Sequence, residues 1–345
     1  MDLITRSVLS AAGAASADPV YVDDVFSTYL YEGTGSTQSI NNGIDLAGEG
    51  GLVWIKRRES PAADHALFDT NRGVDKVLFS NSTTGSTDFA NSLTQFGSSG
   101  FTVSSNSTVN SSTLDNASFS FRKALGFFDI VTYTGTGSVQ NISHALGSTP
   151  GMMLVRCLVG THDWEVYHRS TGATQSLHIN QIDAANSDST VWNNTTPTSS
   201  QFTVGTNNNV NQSGHTYVAY IFAHDDAQFG TGGSESIIKC GSYTGNVSNQ
   251  VIDLGFEPQW ILLKNTSSGA SWYLIDSVRG MSDASNGTAW FYPNSNSAEN
   301  LHDYVQAVPN GFQHKGAGAG PNDSGTFIYM AIRRPHKPPE AATEV

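Results

Sequence analysis

Charge is scarce in this 345-residue chain: only 14% of residues are charged, and acids outnumber bases 30 to 17. The formal net charge of −13 argues against a general phosphate-binding surface, because nucleic-acid affinity rests on clustered Lys and Arg. Cysteine is scarcer still. Cys157 and Cys240 are the only two, too few for a disulfide scaffold, and both read as buried thiols within strands. No segment approaches the ~20 consecutive apolar residues that a membrane-spanning helix needs. Long helical patterns are also rare, which leaves little room for a bundle.

What is abundant is Ser, Thr, Asn and Gly, with apolar residues making up 38% of the chain. That mixture suits short strands joined by polar turns, since Asn and Gly tolerate positive φ and hydroxyls bond locally to the backbone. The length fits two or three domains. At the N-terminus, Val8 to Ala17 is small and apolar and Ala15-Ser16-Ala17 resembles a processing site, but Asp2 stands where a positive region is wanted. Residues 1–20 are therefore read as an ordered arm, helical from about Leu3 to Ala15.

A repeat organises the rest. Tyr-x-Gly occurs at Tyr31-Glu32-Gly33, Tyr133-Thr134-Gly135 and Tyr243-Thr244-Gly245. Apolar runs ended by a cation follow at Leu52 to Lys56, Met152 to Arg156 and Trp260 to Lys264. Two further landmarks keep the order: Gly100 to Val103, Gln201 to Val204 and Gly311 to His314, then closing strands at Ala117 to Arg122, Tyr217 to His224 and Thr326 to Arg333. The chain divides into an N-terminal arm (1–20), three homologous units (21–124, 125–225 and 235–334), a Gly-rich linker (226–234) and a C-terminal tail (335–345). Its glycines mark the linker as flexible, and Pro335, Pro338 and Pro339 keep the tail out of any sheet. Alternation with apolar groups on both faces predicts strands covered on both sides. The expected fold is all-β: three tandem antiparallel β-sandwich modules, jelly-roll or lectin-like, with an N-terminal arm.

Chemistry is harder to find. Asp69-x-x-Arg72-Gly73 and Asp276-x-x-Arg279-Gly280 place a carboxylate and a guanidinium across a turn, which reads as an ion-paired turn before it reads as a ligand clamp. Unit two breaks this pattern at His168. His162, His168 and the Asp225-Asp226 doublet lack the spacing of a zinc or calcium site, no Gly-x-Ser-x-Gly elbow is present, and no carboxylate pair recurs. No catalytic residue, metal or cofactor is expected. Trp54, Trp164, Trp260 and Trp272 read as core. Trp192 sits in a polar stretch with Asn193 and Asn194, and Tyr292 leads to Asn294. Rings beside amides suit a sugar face, although capping a sandwich edge or packing on a neighbouring subunit is the commoner use of each such residue. Asn81 holds the matching place in unit one, and these six residues are the candidate glycan- or partner-binding set.

The opening Tyr21 to Tyr31, the run Gly51 to Lys56, Pro150-Gly151-Met152 and the closing strand Gly214 to Ala223 resemble tail-associated, fibre- or tailspike-like virion proteins of marine tailed bacteriophages. The resemblance implies a non-enzymatic structural protein of the virion, assembled in the reducing host cytoplasm. Implied partners are itself, other virion proteins and host-surface carbohydrate, without nucleic acid or membrane insertion. Capsid decoration and polysaccharide depolymerisation are the rival expectations.

Overall fold

A computed structural model describes residues 18–281, 287–316, 318 and 320–338. The expected helix over Leu3 to Ala15 lies outside the described residues. Unit one opens with a helical turn, α1 (Val22–Val25), and continues through β1 (Phe26–Glu32), β2 (Gln38–Asn41), β3 (Gly51–Arg57), β4 (Ala66–Asp69) and β5 (Lys76–Phe79). It ends with β6 (Thr87–Asp88), β7 (Leu93–Gly97), β8 (Gly100–Val103), α2 (Ser107–Asn110) and β9 (Asp115–Arg122). Unit two follows with β10 (Phe128–Thr134), β11 (Gln140–Ser143), β12 (Met152–Cys157), β13 (Glu165–His168) and β14 (Gln175–His178). Its second half is β15 (Asn186–Ser187), α3 (Ser189–Trp192), β16 (Gln201–Val204), α4 (Asn208–Asn211) and β17 (Thr216–Phe222). Unit three comprises β18 (Ile238–Thr244), β19 (Val251–Asp253), β20 (Pro258–Asn265), β21 (Trp272–Asp276) and β22 (Thr288–Phe291). It closes with β23 (Asn300–His302), β24 (Val305–Val308), β25 (Gly311–His314) and β26 (Thr326–Arg333).

The fold is all-β, and one strand order is used three times. The six-stranded sheets run β1-β9-β3-β4-β5-β6, β10-β17-β12-β13-β14-β15 and β18-β26-β20-β21-β22-β23, with every pairing antiparallel. A smaller sheet covers one face of each: β2-β8-β7, β11-β16 and β19-β25-β24. In unit two, α3 stands where the third strand of the small sheet would be.

The landmarks are explained by local bonds that recur. Tyr31 donates its hydroxyl to Val109 O at 2.5 Å, Tyr133 to Val210 O at 2.7 Å, and Tyr243 to Pro321 O. A Cβ on Gly33, Gly135 or Gly245 would lie 2.1–2.3 Å from the carbonyl oxygen of Ser111, Gln212 or Asp323, so only glycine fits after each tyrosine. Asn110, Asn211 and Asn322 complete the corner, accepting the backbone N–H of Thr34, Thr136 and Asn246 at 2.8, 2.8 and 2.9 Å.

Period-two alternation sends each strand's side chains to two different cores. Val53 and Ile55 of β3 pack with Ile40, Phe101 and Val103 inside unit one, while Leu52 and Trp54 point the other way. Ile261 and Leu263 of β20 likewise face inward, while Trp260 and Leu262 join Leu52 and Trp54 in a cluster shared by all three units. Phe121 is its hub, with ring centroids 4.9 Å from Phe26, 5.7 Å from Phe128, 5.5 Å from Phe222 and 5.8 Å from Trp260. Burying such side chains contributes about 1.5–3 kcal/mol each. The large sheets therefore pack against one another as well as under their own small sheets.

The units close into a ring. The turn after β4 meets the closing strand of unit two, where Arg72 donates to the Tyr220 hydroxyl at 3.1 Å. The turn after β13 meets unit three, with His168 Nε2 3.0 Å from Tyr329 O. The turn after β21 returns to unit one, where the Arg279 guanidinium lies 5.9 Å from the Phe119 ring centroid. Indoles cross two of the same seams: Trp164 donates to Phe79 O at 3.0 Å and Trp272 to His178 O at 2.9 Å.

The stretch 226–234 differs from the flexible linker expected of its glycines. Phe229 is buried in the central cluster and exchanges two backbone hydrogen bonds with Glu235, at 3.1 and 2.9 Å, and Gly230 N–H donates to Val20 O at 2.9 Å. One aromatic side chain among the glycines is enough to anchor the segment. The ends of the described chain meet nearby, where Asp23 accepts the backbone N–H of His336 and Lys337 at 3.1 and 3.2 Å.

Candidate functional site

The threefold repetition supplies a test for function, since a residue present at one place in all three units is explained by building the ring. Asn81 accepts the backbone N–H of His65 at 3.0 Å, Asn180 that of Trp164 at 3.0 Å, and Asn294 that of Trp272 at 2.8 Å. The second amide groups are also used, by Asp64 and Asp163 at 2.6 Å and by Ser271 at 3.3 Å. Asn81 and Asn294, expected as ligand-binding amides, are thus locks that hold one loop to the start of the neighbouring strand. Tyr292 is half-buried, 5.8 Å from the Tyr273 ring.

Trp192 is not a platform. Its side chain is 1% exposed and stands edge-on to Tyr167 at 6.0 Å. The short helix α3 turns Val191 and Trp192 inward together, so the ring enters the core although its sequence neighbours are polar. Asn193 and Asn194 are exposed but adopt φ of 51° and 49°, the left-handed conformation that ends a helix and that Asn tolerates best. The structure does not bring the six residues together at one surface.

The Asp-x-x-Arg turns are buried ion pairs, with Nε to Oδ2 distances of 2.5 Å for Arg72–Asp69 and 2.6 Å for Arg279–Asp276. In unit two His168 takes the carboxylate's place. Its Nδ1 accepts Ser170 N–H at 3.1 Å, as Asp69 accepts Arg72 N–H at 2.9 Å. Burial drives the His168 pKa down to about 4, so the imidazole is neutral.

The cations that end the apolar runs are all buried and directed at loop carbonyls. Lys56 donates to Asn296 O at 3.2 Å and Lys264 to Ile182 O at 2.9 Å, each across a seam, whereas Arg156 donates to His162 O within its own unit. Burial lowers both lysines to about 8 and Arg156 to about 10.

Departures from the repeat concentrate in unit two. Where unit one has Ala66, Val77 and Phe79, unit two has Glu165, Ser176 and His178. The Glu165 carboxylate, 1% exposed, accepts bonds from Ser176, from Asn209 at 2.8 Å and from His178 Nε2 at 3.2 Å. Burial works against a charged His178, yet Glu165 outweighs it and holds that imidazole above its ordinary value. Asn209 also accepts the backbone N–H of Asp163 at 3.4 Å, next to His162, which sits beside His215 and Cys157. The result is a row of polar side chains from a buried carboxylate towards a thiol near the 1–2 seam. The sequence hid it, because Cys157 and His215 lie 58 residues apart; the one available signal was that unit two alone replaces apolar core positions with Glu, Ser and His.

The same seam carries a shallow groove of about 530 Å³ lined by Asn71, Lys123, Asp129, Ser143 and His144. Asp129 is already committed there, to Lys123 at 3.2 Å and to Ala145 N–H at 2.7 Å. No helix among the described residues is long and apolar enough to cross a membrane.

No curated protein matches this chain. A family match extends over residues 22–335, a span that covers all three units, and the chain belongs to that family, described as Domain of unknown function (DUF7483).

Proposed function

We propose that the chain is a non-enzymatic structural component of a tailed-phage virion, associated with the tail. The observation that supports this reading best is the closed ring of three units, in which the recurrent candidate residues, the Asn locks and the ion-paired turns, are spent on construction. A ring built this way offers three related outer faces to neighbouring proteins, which suits assembly. The likeness of Tyr21 to Tyr31 and Gly214 to Ala223 to tail-associated virion proteins points the same way. With Trp192 buried, a sugar-binding role loses its aromatic platform and is not carried forward.

Quantitative mass spectrometry of purified particles is the test. Presence at tens of copies per particle is the expected result; hundreds of copies would move the protein to the capsid surface as a decoration, and absence would remove it from the particle. Release of reducing ends from host polysaccharide by the purified protein would contradict the non-enzymatic reading directly.

A further inference from the structure

The structure assigns to unit two a metal site of one thiolate and two imidazoles, Cys157, His162 and His215, that takes a single zinc-class divalent cation. Cys157 ends β12, His162 lies in the loop that follows, and His215 immediately precedes β17. Cys157 Sγ is 3.6 Å from His215 Nδ1, the two imidazole rings meet edge to face at 5.8 Å, and one ligand atom from each residue lies within 4.8 Å of the others. Tetrahedral zinc, with Zn–S about 2.3 Å and Zn–N about 2.0–2.1 Å, requires ligand atoms roughly 3.3–3.6 Å apart. Shifts of about 1 Å in the two half-exposed histidines close the set on an ion, leaving the fourth position to water.

The other two units show what this place holds when it is only structural. Arg57 occupies the position of Cys157 in unit one and donates to Pro61 O at 2.9 Å and to Ser107 O. Asn265 occupies it in unit three and accepts the N–H groups of Ser267 and Ser268 at 2.9 and 3.2 Å. Leu114 and Gly325 stand where His215 does. Unit two keeps one weaker bond of this kind, from Cys157 Sγ to Val159 O at 3.2 Å, and places three soft or borderline donors together instead.

An outer shell is present as well. Asn209 donates to the buried Glu165 carboxylate at 2.8 Å and accepts the backbone N–H of Asp163, the residue after His162, at 3.4 Å, which ties the loop that carries this imidazole to a buried acid. Arg156, next to Cys157 on β12, has Nε and Nη2 lacking hydrogen-bond partners among the described residues. The half-exposed histidines leave the ion a route in from solvent.

Binding here would do mechanical work on the ring. The loop carrying His162 is stitched to unit one by Gly85 N–H to Gly160 O at 2.8 Å, Ser86 N–H to Leu158 O at 3.0 Å and His162 N–H to Thr83 O at 3.0 Å. An ion joining that loop to His215 therefore clamps the 1–2 seam to the closing strand of unit two.

Titration of the full chain with Co²⁺, followed by displacement with Zn²⁺, tests the site. The expected result is one equivalent bound with a thiolate-to-cobalt charge-transfer band and ligand-field bands of tetrahedral strength. Both should be lost in Cys157→Ser, a near-isosteric change, and kept in Cys240→Ser. Far-ultraviolet circular dichroism establishes that each variant is folded. Zinc should raise the melting temperature of the wild type and leave that of His215→Gln unmoved, which provides a second readout. Absence of a thiolate band, or the same band and affinity in Cys157→Ser, would overturn the assignment.

Discussion

The seam from unit three to unit one and the seam from unit two to unit three occupy the same place in the repeat and are made with different chemistry. At the first, Asp276 and Arg279 form an ion pair with both side chains fully buried, and the guanidinium lies 3.8 Å from the Phe291 ring centroid. At the second, a neutral His168 bridges Ser170 N–H and Tyr329 O. An ion pair out of water is stabilising only while both partners remain. A neutral imidazole costs less to bury, but it fails as soon as it takes up a proton, because a proton on Nδ1 would oppose Ser170 N–H. The difference teaches that this fold needs a two-sided hydrogen-bonding group at the turn and leaves its charge free to vary.

The largest effect expected from breaking this contrast belongs to Asp276→Ala. It leaves Arg279 buried with Glu299, 3.5 Å away, as its acid partner among the described residues, and should cost about 3–5 kcal/mol, measured by urea denaturation. His168→Ala removes a neutral bridge between Ser170 N–H and Tyr329 O, for about 1–3 kcal/mol. Equal losses in the two variants would show that charge adds nothing at the turn.

The contrast also sets a pH dependence. His168, His224 and His314 are each pushed down to about 4 by burial, and His65 is held well below its ordinary value for the same first reason. Unfolded, each takes up a proton near pH 6.5. Between pH 6.5 and about 4 the unfolded chain binds more protons, so stability is full above 6.5 and is lost as pH falls. His168→Gln keeps an acceptor and a donor at the turn, and should reduce the slope by about one proton, about 1.4 kcal/mol per pH unit. An unchanged slope would mean that His168 is not neutral in the fold.

A smaller effect appears at alkaline pH. Lys56 and Lys264 are lowered by burial to about 8 and return to about 10.4 on unfolding. For these two groups the unfolded chain again binds more protons within that window, so they add stability from pH 8 towards pH 9, before the buried tyrosines, held above their ordinary value by burial, oppose the rise near pH 10. Lys56→Met should flatten the rise, whereas Arg156, at about 10 in the fold, should take little part in it. Chemical denaturation at pH 8, 9 and 10 checks both statements.

Much of this was legible in the chain because it is local. Tyr-x-Gly, the runs ended by cations and the closing strands each report a bond or a strand within one unit, so repetition exposed them. Trp54, Trp164, Trp260 and Trp272 read as core from their apolar neighbours, and all four are at most 2% exposed. Trp192 misled for the converse reason, since polar neighbours do not reveal that α3 aims the ring inward. Ring closure was invisible: the Arg58–Glu299 pair at 2.8 Å joins residues 241 apart, and nothing in either segment names the other. Phe229 was the overlooked signal against a flexible linker. Asn81 and Asn294 were correctly seen to recur, but recurrence pointed to construction rather than to a ligand.

The ring as one cooperative body is the central claim, because Leu52, Trp54 and Phe121 of unit one lie in a cluster that units two and three complete. Differential scanning calorimetry of the full chain measures it directly. One transition whose calorimetric and van't Hoff enthalpies agree is the expected outcome; two or three separated transitions, with unit three melting independently of the others, would contradict it.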